Sequence, residues 1–185
     1  MSSRKSFKII FLFLILFSVS STYGNKHRKP CKEMTVYFHD VVSNSTNSDN
    51  ATASIVAAPA GNKLTTFAPE FRFGNIIVFN DPITVDSNFN SPPIGRAQGF
   101  YLYVDKNAPN SWISFSLVFN STNLRGTINL MGSDPIWGNP VRNVSVVGGT
   151  GDFFMHTGIA TLVTDSFEGL WYFRVKMDIK FYQCW

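Results

Sequence analysis

The chain has 185 residues, 44% of them hydrophobic and 15% charged, with a formal net charge of +4; that length suits one domain. The positive excess is terminal: Arg4, Lys5 and Lys8 open the chain, Lys26, Arg28 and Lys29 precede Cys31, and the body from residue 30 onward is slightly acidic. This leaves no electrostatic footprint for nucleic acid, and His27, His39 and His156 stand too far apart in sequence to read as a metal motif.

The first element is a targeting segment. A basic start, the unbroken apolar run Ile9–Phe17 and small or polar residues ending in Thr22-Tyr23-Gly24 follow the order of a secretory signal. The run is shorter than the roughly 20 residues a bilayer span requires. Residues 1–24 are therefore expected to be removed, leaving residues 25–185 as a single secreted, extracellular domain that is not a membrane protein.

Strand signals follow in sequence. Met34–Val42, Ser54–Ala58, Gly74–Phe79, Gly99–Tyr103, Trp112–Phe119, Gly126–Met131, Val144–Val147, Gly158–Thr164 and Trp171–Tyr182 are the candidates. The last is clearest: Trp171, Phe173, Val175, Met177, Ile179 and Phe181 alternate with polar or mixed residues, which gives a strand one buried and one wet face. Turn residues separate the candidates, among them Asp81-Pro82, Ser91-Pro92-Pro93, Ala108-Pro109-Asn110, Gly138-Asn139-Pro140 and Gly148-Gly149-Thr150-Gly151. No helical periodicity, repeat or linker interrupts them. The fold class is all-β, one small barrel or sandwich of eight or nine strands. A barrel of about eight strands has room for one small ligand.

Two cysteines in a secreted chain most simply form one disulfide, Cys31 with Cys184. Four Asn-x-Ser/Thr sequons, at Asn44, Asn50, Asn120 and Asn143, are glycosylation candidates. Asn143 falls in a strand-like stretch and is the weakest.

The usual catalytic signatures are missing. Neither a Ser-His-Asp arrangement nor a Gly-x-Ser-x-Gly elbow occurs, and the glycine run at 148–151 lacks the Lys-Ser/Thr of a phosphate loop. Misplaced polar groups are more informative. Asp40 shares strand parity with Val36, Phe38 and Val42, and Asp134 shares it with Ile128 and Leu130. A carboxyl in an apolar wall is driven toward its neutral form and can donate a proton to a developing oxyanion; the alternative for each is a structural aspartate at a turn. Tyr101 and Tyr103 share a face that is either pocket or exterior. Arg142 either balances a carboxylate or lies on the surface.

Lys29-Pro-Cys-Lys32, Tyr37-Phe-His-Asp40, Asn50-Ala-Thr52, Asp81-Pro-Ile-Thr84, Gly95-Arg-Ala-Gln-Gly99, Phe119-Asn-Ser-Thr122, Gly126-Thr-Ile-Asn129, Val146-Val-Gly-Gly-Thr-Gly-Asp-Phe-Phe-Met155 and Tyr172-Phe-Arg-Val-Lys-Met-Asp-Ile-Lys180 together resemble the plant dirigent proteins, most of all the lignan-forming, pinoresinol-type subgroup. The resemblance spans the whole chain after the leader. It implies an eight-stranded antiparallel β-barrel related to allene oxide cyclase, a homotrimer, secretion to the apoplast, a Cys31–Cys184 disulfide, and glycans at positions including Asn50 and Asn120. It also implies an activity without a cofactor or metal. A separate laccase or peroxidase makes coniferyl alcohol radicals, and the protein fixes the faces that couple between carbons 8 and 8′. By the same resemblance Asp40 and Asp134 are the pocket acids. Arg142, Tyr101, Tyr103, Thr164 and Phe173 bind and position the substrate.

Two departures stand out. The stretch from Asp134 to Arg142 is one residue longer than the family pattern, and Asn143 replaces the usual Asp. Other readings are coupling of a different phenol, such as a terpenoid naphthol, a non-catalytic ligand-binding or defence barrel, and an enzyme that cyclises a quinone methide alone.

Overall fold

The computed structural model describes residues 29–44, 46–58 and 71–185. The expected leader, residues 1–24, lies outside them. Among the described residues nine strands form: β1 (Lys32–Val41), β2 (Ala53–Ala57), β3 (Ile76–Thr84), β4 (Gly95–Tyr103), β5 (Ser111–Asn120), β6 (Arg125–Asp134), β7 (Val141–Gly151), β8 (Thr157–Glu168) and β9 (Tyr172–Gln183). No α-helix occurs among the described residues.

From β3 to β9 each strand pairs antiparallel with the next. β9 then pairs with β1 from Lys32↔Phe181 to Val41↔Tyr172. β1 reaches β3 through Tyr37↔Thr84 and Phe38↔Ile83. This closes an eight-stranded barrel of β1 and β3–β9. Closure removes the exposed edges that an open sheet of this length would present. β2 covers the rest of the β3 edge, with Ala53 opposite Phe79.

Period-two alternation decides which side chains fill the barrel. Phe173, Val175, Met177, Ile179 and Phe181 of β9 point inward, as their spacing implies, and the last four are buried. Ile113, Phe115, Leu117 and Phe119 of β5 do the same. β4 crosses β5 closely at Gly99, where a Cβ would lie 2.2 Å from the Ser114 carbonyl oxygen. Only glycine fits there.

One expected boundary is wrong. Asp81-Pro82 does not separate strands but sits inside β3, with Pro82 opposite Arg96 of β4. The Asn80 N–H points to the Thr52 carbonyl, 2.8 Å away. Two residues on, Pro82 faces the same edge where β2 has ended and the β1 pairing begins. Its missing N–H therefore removes no ladder bond.

One end of the barrel is sealed. The β7–β8 turn folds Phe153 under it, fully buried, with ring centroids 5.5 Å from Phe119 and 5.8 Å from Phe181. The Cys31–Cys184 disulfide forms beside this plug, and the Cys31 N–H donates to the Phe181 carbonyl.

Candidate functional site

The opposite end collects the polar interior. An antiparallel meander brings the starts of β3, β5, β7 and β9 and the ends of β1, β4, β6 and β8 to one rim. Asp40 is next to last in β1, Tyr103 and Asp134 are the last residues of β4 and β6, and Arg142 and Phe173 are second in β7 and β9. The candidates drawn from distant points of the sequence thus share one mouth. Its floor is aromatic: the Phe79 ring lies 6.1 Å from Phe38, 5.8 Å from Phe115 and 6.0 Å from Tyr101. Phe71 meets Tyr103 and Phe173 edge-on. Thr164 keeps inward parity with Ala160 and Leu162, but it is exposed at the rim, beside a β-bulge.

On one side stand Asp134 and Arg142, both buried. The Arg142 Nε donates to Asp134 Oδ1 at 2.5 Å. The β6–β7 register explains the contact. Continuing Leu130↔Val146 and Met131↔Ser145 brings Asp134 opposite Arg142. Burial raises the Asp134 carboxyl pKa, and the Arg142 charge opposes that rise. Ser111 of β5 lies opposite Asp134, with its hydroxyl buried and unpartnered.

On the other side stands Asp40, 5% exposed. Its Oδ2 accepts from the Tyr101 hydroxyl at 3.3 Å, and its Oδ1 has no partner. Burial raises its pKa from 3.8 to about 7, with the Tyr101 hydrogen bond pulling the other way. Burial, and then the Asp40 charge, push the Tyr101 phenol well up. At neutral pH this side offers a carboxyl with a large neutral fraction.

The sequence reading missed Asp81. It is fully buried on the inner face of β3, in line with Ile77, Phe79 and Ile83. That parity was visible in the sequence, but the neighbouring proline made the pair read as a turn. The Thr52 hydroxyl donates to Asp81 Oδ1 at 2.5 Å, and Oδ2 has no partner.

The four sequon asparagines lie outside the mouth, and so does His39, to which the sequence assigns no role. His39, on the opposite face from Asp40, is buried between Phe89 and Tyr172, with Nδ1 2.9 Å from the Tyr172 hydroxyl and Nε2 2.8 Å from Thr84 Oγ1. It underlies an outer-wall cleft of ≈ 640 Å³ lined in part by Asn50, Phe89 and Tyr172, which holds none of the buried acids. Asn50 and Asn120 are exposed at a turn and a strand end. Asn44 is half-buried, and its Oδ1 holds a turn through the Thr46 and Asn47 N–H groups. Asn143 is exposed on the outer face of β7 and accepts from Thr161. Among the described residues no group of three or more His, Cys, Asp or Glu could hold a metal ion.

The fold is thus a β-barrel sealed at one end, with an aromatic floor and buried carboxyls toward the other. The family profile of the dirigent-like proteins matches residues 31–182, and the chain belongs to that family. It is 53% identical over 194 residues to a dirigent protein of Sinopodophyllum hexandrum, covering 100% of both chains. It is 48% identical over 184 residues to dirigent protein 5 of Arabidopsis thaliana, covering 98% and 97%. Among solved structures, a pterocarpan synthase dirigent protein superposes with a TM-score of 0.70 at 27% identity, covering 81% of this chain and 88% of that one. Membership supports a dirigent-type role in stereoselective coupling.

Proposed function

We propose that the protein directs the 8–8′ coupling of coniferyl alcohol-type phenoxy radicals, supplied by a separate laccase or peroxidase, to one hand of a lignan such as pinoresinol. The observation that carries this reading is the pair of acid stations, Asp40 and the Asp134–Arg142 ion pair, on opposite sides of an aromatic-floored mouth. Two radicals pair their electrons in the new carbon–carbon bond, and each half becomes a quinone methide. Each half then takes one proton at its ring oxygen and loses one from the side-chain hydroxyl that closes the ring. Two symmetric halves call for two acids.

Radical pairing has almost no barrier, so the protein acts by orientation. A preference of about 1.4 kcal/mol between poses gives tenfold selectivity. Phe38, Phe79 and Phe115 supply flat surfaces against which aromatic rings stack. Tyr101, Tyr103, Arg142, Thr164 and Phe173 set the positions of the phenol oxygens. Asp40 delivers one proton, and Asp134 delivers the other from the protonated fraction that burial maintains against the Arg142 charge. The protein works as a secreted homotrimer in the apoplast, with glycans on Asn50 and Asn120.

The test is to incubate the protein with coniferyl alcohol and a laccase and separate the products by chiral chromatography. One enantiomer in excess, lost in Asp134→Asn while binding persists, is the expected result. A racemic mixture identical to the laccase-only control refutes the reading. A second reading, ring closure on a preformed quinone methide without coupling, has one observation in its favour: the similar solved dirigent protein is named as a pterocarpan synthase. Product formation from such a substrate with no oxidase present would favour it.

A further inference from the structure

We propose that Asp81 is a positioning residue for Asp40: it stays a neutral carboxylic acid whose O–H receives the Asp40 carboxylate once Asp40 has given its proton away. The inference rests on the donor role for Asp40 proposed above and adds a partner for it.

Geometry comes first. Continuing the register Tyr37↔Thr84 and Phe38↔Ile83 places Asp40 opposite Asp81. Both point into the barrel, at 5% and 0% exposure. Between them the strands separate, and Thr52 fills the seam. The Thr52 hydroxyl oxygen accepts from the Val41 N–H at 3.0 Å, and the hydroxyl proton goes to Asp81 Oδ1 at 2.5 Å. This leaves one oxygen on each acid, Asp40 Oδ1 and Asp81 Oδ2, buried with no partner. Two buried carboxylate oxygens repel each other, and each unmade bond is costly. One proton placed between them satisfies both, as in other paired carboxyls.

The surroundings decide which acid keeps it. Asp81 is enclosed by Phe79 and Ile83 on its own strand and by Thr52. From β4 it lies opposite Ala97, with the Tyr101 phenol close enough to feel its charge, while the Arg96 guanidinium, on the outer side and bound to Asn80, draws its pKa down. From β1 it faces Asp40; His39 points the other way. Beyond β1, β9 sets Phe173 opposite Asp40, and Arg174, opposite His39, is paired with Asp165 on the outside. The Asp134–Arg142 pair closes the far rim. Burial and the Asp40 charge raise the Asp81 pKa well above its ordinary value, and Asp81 is the more deeply enclosed of the two, with no exposure against 5% for Asp40 at the rim. Asp40 therefore ionises first, while Asp81 holds its proton. In the cycle, the Asp40 O–H bond breaks as the quinone methide oxygen gains the proton. The resulting carboxylate accepts from Asp81 and is reprotonated by the proton the attacking hydroxyl loses. No net proton or electron is consumed.

The test needs no substrate, so it stands apart from the coupling reading. Infrared spectra of the full protein are recorded through a pH titration for wild type, Asp81→Asn and Asp81→Leu, following the stretch of protonated carboxyls. The wild-type minus Asp81→Asn difference at neutral pH should contain a protonated-carboxyl band. Asn donates through its amide as a neutral Asp does, so the Asp40 midpoint should stay within about half a unit of wild type. Leu donates nothing, and the midpoint should rise by about one unit or more. Absence of the neutral-pH band overturns the proposal even if the Leu variant does not fold. A midpoint that falls in Asp81→Asn shows that Asp81 is ionised, and one that does not move in Asp81→Leu shows that it only fills space; either result also overturns it.

Discussion

Replacing Asp40 by Asn tests the claim that the mouth carboxyl is neutral because it is buried. In the folded protein its pKa is about 7 rather than 3.8. The folded state therefore binds more protons than the unfolded chain between those values, and stability falls as pH rises through that window. A shift of about three units at about 1.4 kcal/mol each makes the ionised carboxyl cost about 4 kcal/mol above the window, and nothing below it. Asn keeps an oxygen to accept from Tyr101 and has no charge to bury. Asp40→Asn should thus match wild type near pH 4, in order of magnitude, and exceed it by about 4 kcal/mol near pH 8. Urea unfolding at both pH values, at fixed protein concentration and with the disulfide intact, measures the difference. Parallel stability–pH curves for the two proteins would refute the reasoning, because they would mean that Asp40 ionises in the barrel as freely as in water.

Two further outcomes follow from the same contacts. Arg142→Met leaves Asp134 buried without its counter-charge and should lower stability by about 3–5 kcal/mol at neutral pH, read by urea unfolding; the loss should shrink at acid pH, where Asp134 is neutral. Replacing Cys31 and Cys184 together by Ala opens a loop of sequence separation 153 and should lower stability by about 5 kcal/mol in the chain-entropy description, seen as a lower melting temperature, while the β-rich circular dichroism spectrum of the folded protein stays unchanged.

The parts legible in the sequence are those governed by period two. The alternation in β9 named its inner face correctly, and Asp40 was placed inward because Val36, Phe38 and Val42 flank it at even spacing. Asp81 obeys the same rule, yet it was passed over. A proline inside a strand normally argues for a turn, and only the change of neighbour from β2 to β1 makes Pro82 harmless. Arg142 was ambiguous for a different reason. Its loop length says nothing about its partner, whereas the β6–β7 register sets it against Asp134 whatever the loop does.

By itself the sequence determined an all-β chain, the inward or outward sense of most residues, and the two cysteines available to staple it. Alternation and turn chemistry are local and can be read from neighbours. The tertiary structure alone decided that the meander closes through β1 and β3, that Phe153 seals one end, and that Asp40 with Asp81 on one wall and the Asp134–Arg142 pair on the other lie toward the opposite end. Those outcomes depend on which strands lie side by side. A carboxyl's chemistry depends on what surrounds it, and its surroundings come from strands far apart in the chain.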